Sequence, residues 1–187
     1  AGSEATHGAP LGEDNIKKLR ENLNYNYAPF EVPSKVYKHT ASAIRRGKKA
    51  ERAWKKLLKE YSIAYPDLYA EFIKTTNGKL PTIDDSDLYN FEKDDATRSL
   101  GHTVLNKIAK QIPNLFGGSA DLAPSTKAFI KGEEFYSATN RLGKNVHFGI
   151  REHAMSAICN GIAVHGGLIP FCSTFFVFSD YMKNAMR

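Results

Sequence analysis

The sequence predicts an α/β fold built on a parallel sheet and preceded by a mainly helical segment. Three observations carry that reading. From Thr97 onward, helical stretches alternate with short apolar runs, the rhythm of β–α–β units. The chemically unusual residues gather in three loops that each follow one of those runs, where open parallel sheets hold their ligands. Residues 13–78, by contrast, show apolar spacings of three and four and no strand pattern.

Residues 1–12, with Gly2, Gly8, Pro10 and Gly12, read as a loop, and the acidic pair Glu13-Asp14 opens a short helix. A turn bounded by Pro29 and Pro33 leads into basic helical segments. In them Ala53, Trp54, Leu57, Leu58 and Tyr61 make one apolar stripe. Residues 66–78 form another short helix that stops at Asn77-Gly78, and Pro81 to Asp95 is an acidic linker holding five aspartates. A helix is expected at about 97–111, then a strand at Asn114–Phe116, a loop with Gly117-Gly118 and a helical or irregular stretch. A strand at Val146–Phe148, a helix headed by Glu152, a strand at Leu168–Cys172 and a last helix from Thr174 complete the order. Right-handed crossovers make these strands parallel. Three strands leave a sheet unfinished, and the chain stops at Arg187 inside a helical pattern, so the sequence reads as an internal fragment.

Composition narrows the classes of function. Of 187 residues, 42% are hydrophobic and 25% charged, which is the balance of a folded globular chain. The net charge of +6 comes largely from Lys35 to Lys59, where a charge run reads as a solvated helix face. No nucleic-acid motif or interleaved aromatic accompanies it, which argues against a nucleic-acid partner. No apolar run approaches the roughly 18 residues of a membrane span, and no signal peptide is visible. Cys159 and Cys172 lack CxxC spacing and sit among apolar residues, as buried free thiols of a reducing compartment do. His39, His102, His147, His153 and His165 form no ligand spacing, so no metal site is expected.

The candidate chemistry centres on Glu152. It heads a run, Ala154 to Ala163, made mostly of Ala, Ile, Met, Ser, Cys and Gly, which suits a buried helix packed closely on a sheet. A carboxylate there is paired, or working, or both. Gly117-Gly118 alone reads as a tight turn needing positive φ, but with Ser119, Asp121 and Ser125 following, a polar site is the better reading. Phe175, Phe178 and Tyr181 recur every three residues, as core packing or as a wall for a flat ring. His7, in Thr6-His7-Gly8-Ala9-Pro10, lies where glycines let a backbone approach a ligand, or is simply exposed.

Taken together these stretches resemble the transketolase family, thiamine-diphosphate enzymes of the pentose phosphate pathway. The resemblance runs through Gly-Gly-Ser-Ala-Asp-Leu-Ala-Pro-Ser at 117–125, Gly-Ile-Arg-Glu-His-Ala-Met at 149–155, Asn-Gly-Ile at 160–162 and Thr-Phe-Phe-Val-Phe-Ser-Asp-Tyr at 174–181. It reaches back to His-Gly-Ala-Pro-Leu-Gly at 7–12 and Ala-Thr-Arg at 96–98. Thr126 departs from it, because the family carries Asn there.

The resemblance implies an incomplete thiamine-diphosphate-binding fold. Residues 1–12 close a diphosphate-binding domain, 13–95 form a helical segment and linker, and 96–187 begin a pyrimidine-binding domain. It implies that Glu152 hydrogen-bonds the aminopyrimidine ring nitrogen of the cofactor, and that Phe178 stacks on that ring with Phe175 and Tyr181 completing the pocket. Arg98 and Ser125 are implied as ligands of a sugar phosphate. His7 lies near the cofactor diphosphate and the substrate hydroxyls, and Asp121 near the cofactor or a subunit interface. Mg2+ or Ca2+ is implied with ligands outside this chain, since the family's Gly-Asp-Gly…Asn motif is absent from it. A cytoplasmic homodimer, transferring a two-carbon ketol unit between sugar phosphates, is the implied whole, and residues 1–187 alone are expected to be inactive. Dihydroxyacetone synthase shares that fold and cofactor, and a non-catalytic interaction module is the reading from another class.

Overall fold

The computed structural model describes residues 4–79 and 81–187; the start of the predicted N-terminal loop, Gly2 included, lies outside the described residues. The chain divides into two units, one ending at Tyr61 and one spanning Ser62–Arg187.

The first unit holds α1 (Glu13–Asn22) and most of α2 (Ser34–Ala64). Gly12, at φ 80°, turns the chain into α1, whose acidic Glu13 and Asp14 face the positive end of the helix dipole. The Arg20 guanidinium donates to the Tyr27 carbonyl and lies 5.3 Å from the Tyr25 ring centre, pinning the chain that leaves α1. Where the sequence suggested several basic helical segments, the structure has one helix of 31 residues. It runs through Gly47, because a single glycine costs only about 1 kcal/mol in a helix rich in Lys, Arg, Ala and Leu. Ion pairs between Glu51 and Lys55 and between Lys56 and Glu60 support the same stretch by a few tenths of a kcal/mol. The predicted stripe is present on this helix, but Trp54 and Leu57 are 51% and 57% exposed and no residue of α2 is buried.

In the second unit, α3 (Pro66–Thr76) starts on a proline, which lacks only an N–H that a first turn cannot use, and stops at Asn77 before Gly78, at φ 74°. The acidic linker that follows has neither helix nor strand, yet it is stitched to α4 (Thr97–Ala109). Gln111 exchanges two hydrogen bonds with the Asp84 backbone, and Lys107 pairs with the Asp87 carboxylate at 3.0 Å.

Three parallel strands follow, in the order β2 (Asn145–His147), β1 (Leu115–Ser119), β3 (Ile169–Ser173). Gly117 and Gly118 belong to β1 and neither has a positive φ, so the expected glycine turn is absent. They are glycine for a different reason. A Cβ on Gly117 would lie 1.9 Å from the Phe171 carbonyl oxygen, and one on Gly118 would lie 2.0 Å from that of Val146. The central strand is hemmed in by carbonyls from both neighbours.

Alternation along β3 divides the core, since successive side chains point to opposite faces. Phe171 joins Ile112, Leu115 and Ile130 with α4, while Cys172 joins Phe148, Met155, Cys159 and Met182 with α6 (Glu152–His165). The sequence suggested a wholly buried α6, but only Met155, Ser156 and Cys159 are buried and Val164 is 89% exposed. Three strands can cover only one stripe of a helix. The last expected helix divides into a 3-10 helix (Phe176–Tyr181) and α7 (Lys183–Met186), and the short α5 (Ala123–Thr126) follows β1.

The polar residue that organises the loop before β2 is Asn145, 1% exposed. Its side-chain amide donates to the Ile130 and Glu133 carbonyls at 2.9 and 2.8 Å, and its Oδ1 accepts from the Ile130 N–H at 2.7 Å. Asn145→Ala removes three hydrogen bonds and leaves the buried Ile130 N–H without its acceptor, so the full-length protein should lose about 2–3 kcal/mol in urea denaturation.

Candidate functional site

The C-terminal ends of the three strands are laced together at Ser119, which is fully buried. Its carbonyl accepts from Phe148 N–H at 3.2 Å, and the next residue, Ala120, donates its N–H to the Ser173 carbonyl at 2.9 Å. The Ser119 hydroxyl reaches the Ala120 and Ser173 carbonyls at 2.9 and 3.2 Å and accepts from the Thr126 hydroxyl at 2.8 Å. Thr126, where the resemblance leads one to expect Asn, thus ties α5 to the sheet through its own hydroxyl.

Two backbone turns then aim the loops. Asp121 adopts φ 39°, which Asp tolerates better than most residues, and its N–H donates to the Gly149 carbonyl at 3.0 Å. Gly149, at φ 70°, occupies the left-handed region that favours glycine and lets the chain reverse after β2. Glu152 emerges as the first residue of α6. Arg151 does not pair with it, because its guanidinium donates to the Phe148 carbonyl at 3.0 Å.

These loops enclose an open cavity of about 720 Å3, and Glu152, Asp121, Phe175, Phe178 and Tyr181 all line it. Sequence spacing put the three aromatic residues on one face. Phe178 and Tyr181 lie in the 3-10 helix, which turns every three residues so that side chains at i and i+3 eclipse, and Phe175 is the extended residue just before it. Phe178 and Tyr181 stack with ring centres 6.2 Å apart at 19°, and Phe175 meets Phe178 edge-on at 6.4 Å. They do not pack into the core: Phe178 is 37% and Tyr181 65% exposed.

Glu152 is half-buried and has no hydrogen-bond or ion-pair partner among the described residues. A carboxylate withdrawn from part of its water without a partner is held ready for a donor from elsewhere. The cavity therefore suits a flat heteroaromatic ring bearing N–H groups: an aromatic wall for its face and one carboxylate for its edge. Ile150, Leu122 and Thr174 also line it, and strand-end position is the signal that would have singled them out.

Other predicted residues lie elsewhere. Ser125 is half-buried in α5, Arg98 is exposed in the first turn of α4, and neither lines the cavity. The two elements are joined by Lys127, whose ammonium donates to the Ser99 hydroxyl at 2.7 Å, and the His102 ring nitrogen sits 2.7 Å from the Lys127 carbonyl. His7 is exposed in the first unit. Among the described residues no group of three or more His, Cys, Asp or Glu is placed to hold a metal, and no helix is long and apolar enough to cross a membrane.

Residues 94–187 match the family described as transketolase, pyrimidine binding domain, and residues 1–81 match transketolase, thiamine diphosphate binding domain. Transketolases of Geobacillus stearothermophilus and Halalkalibacterium halodurans are 45% and 44% identical to the chain over its whole length. The chain spans 29% and 28% of those relatives. A Pichia stipitis transketolase solved in complex with sedoheptulose-7-phosphate is 35% identical, with a TM-score of 0.80, covering 95% of this chain and 28% of that one.

Because Glu152 has no partner among the described residues, Glu152→Gln should leave the stability of the full-length protein within about 0.5 kcal/mol of the parent in thermal or chemical denaturation. A larger loss would show that the carboxylate is part of the scaffold.

Proposed function

The chain belongs to the transketolase family, and from that premise we propose that it supplies the aminopyrimidine side of a thiamine-diphosphate site in a ketol transferase. The reaction is transfer of a two-carbon ketol unit from a ketose phosphate to an aldose phosphate. The observation that carries this reading is the unpartnered Glu152 carboxylate beside the stacked Phe178 and Tyr181 rings in one cavity.

Thiamine diphosphate, when bound, supplies the carbanion chemistry that no protein side chain provides. The chain's own residues bind, orient and move one proton. Phe178 offers a face for the aminopyrimidine, with Phe175 and Tyr181 limiting its tilt. Glu152 bonds the ring nitrogen and exchanges a proton there at a carboxylate oxygen. Asp121 stands at the cavity rim beside the same ring or the partner subunit. Arg98 and Ser125 hold the substrate phosphate, a guanidinium fork and a hydroxyl being suited to a dianion. The Lys127–Ser99 bond supports this, because it keeps the elements bearing Ser125 and Arg98 next to each other. The sugar phosphate named for the Pichia stipitis structure supports the substrate class. His7 serves the diphosphate and the sugar hydroxyls, and the Mg2+ or Ca2+ ligands come from sequence outside this chain.

Residues 1–12 close the diphosphate-binding domain, 13–95 form the helical segment and linker, and 96–187 begin the pyrimidine-binding domain. The interval between the two family matches, residues 82–93, supports that second boundary, while the match over residues 1–81 runs past the first. The assembly is a cytoplasmic homodimer. Apolar residues left in water, Val164 at 89% and Phe176 at 93% exposed, support a further covering layer.

In the full-length enzyme, Glu152→Gln should lower kcat for ketol transfer about a hundred-fold or more, read in a coupled assay with saturating cofactor. Near-normal turnover would overturn the proton-transfer role. Removing the stacking face by Phe178→Ala should weaken thiamine diphosphate binding up to about ten-fold, the equivalent of about 0.5–1.5 kcal/mol, as measured by titration of the apoenzyme.

A further inference from the structure

Cys159 and Cys172 are the chain's two cysteines, and the reading above gives neither a task. Both are free thiols, and they face each other across the packing of α6 on β3. Cys159 lies in α6 seven residues after Glu152, and Cys172 lies in β3 just before Ser173. Both belong to one apolar cluster, Cys159 within it and Cys172 packed against it. The Cys159 Sγ is 3.9 Å from the carbonyl oxygen of Phe171, the residue directly before Cys172. Around them stand Phe148, Met155 and Met182.

We propose that Cys159 and Cys172 are an oxidant-responsive dithiol that closes to an intrachain disulfide under hydrogen peroxide. The two thiols have distinct parts. Donation from the Cys159 S–H lowers the Cys172 pKa to about 7, against the opposing effect of burial, which makes Cys172 the first to ionise. Cys159, hydrogen-bonded to Cys172 and buried, is pushed well up and stays a thiol. The Cys172 thiolate attacks one peroxide oxygen, the O–O bond breaks, and hydroxide leaves to take up the proton the thiol released. Cys172 is then a sulfenic acid. The Cys159 sulfur attacks the Cys172 sulfur, the S–O bond breaks, and the departing hydroxide takes the Cys159 proton. Two thiols are oxidised by two electrons in all, and one peroxide is reduced to two waters.

Closure acts on the cavity through the backbone. An S–S bond of about 2.05 Å is much shorter than the contact distance of two unbonded sulfurs, so closure draws α6 and β3 together. Glu152 opens the first of those elements, and Thr174 and Phe175 directly follow the second. Both walls of the cavity therefore shift. This consequence for the cofactor rests on the function proposed above, whereas the disulfide itself does not.

The test uses the full-length protein, reduced, treated with hydrogen peroxide, then capped with N-ethylmaleimide and mapped by mass spectrometry. The expected result is a Cys159 peptide joined to a Cys172 peptide, two hydrogens lighter than their sum. Dithiothreitol should release it, and neither Cys159→Ser nor Cys172→Ser should form it. Maleimide on both cysteines after peroxide, or Cys172 taken on to sulfinic acid with no joined peptide, would overturn the proposal. Thiamine diphosphate titration then reads the coupling. The oxidised parent should bind several-fold more weakly than the reduced parent, while Cys159→Ser is unchanged by peroxide. Equal affinity of the two parent forms would refute the coupling, whereas a reduced parent that binds no thiamine diphosphate would refute the function reading and leave the mapped disulfide standing.

Discussion

The cavity hangs from Ser119. A hydroxyl with no access to water must find its partners inside the protein, and Ser119 directs its one hydrogen at the Ala120 carbonyl after β1 and the Ser173 carbonyl at the end of β3 while accepting from Thr126 of α5. Its carbonyl meanwhile holds the residue that ends the β2 loop. The three segments that carry Asp121, Glu152 and Phe175 are thus fixed to one point at the mouth of the sheet. A larger side chain there would separate strands that Gly117 and Gly118 bring within contact of their neighbours' carbonyls. Close strands, a buried hydroxyl and short loops are one design.

With the frame held so tightly, the site can leave its working groups unsatisfied. Glu152 has no partner among the described residues, and Asp121 adopts a positive φ that a non-glycine residue adopts at some cost. Neither feature stabilises the fold, and both belong to the cavity. The aromatic wall has the same character, since Tyr181 and Phe178 stack on each other while keeping exposed faces that the core would otherwise bury. Stability is supplied elsewhere, by the two apolar clusters on either face of the sheet and by the Asn145 clamp.

The α/β class, the parallel strands and most of the element order were legible in the residues, because apolar periodicity and punctuation by Gly and Pro are local signals. The grouping of Glu152, Asp121, Phe175, Phe178 and Tyr181 was legible too, since strand ends in a parallel sheet converge. What was misread depended on neighbours. Gly117 and Gly118 look like a turn in any local window, and only the carbonyls of Val146 and Phe171 explain them as strand residues. The small residues of α6 look like a buried helix, yet the extent of burial depends on how many strands lie beneath it.

The sequence by itself determined which residue types line the cavity: one carboxylate after a glycine, and three aromatics at a three-residue interval. Those are properties of covalent order. The tertiary structure alone decided that the Phe178–Tyr181 interval is wound as a 3-10 helix, that Thr126 bonds the Ser119 hydroxyl, and that Cys159 and Cys172 share one apolar cluster. The last depends on the packing of α6 on β3, a constraint no local pattern contains.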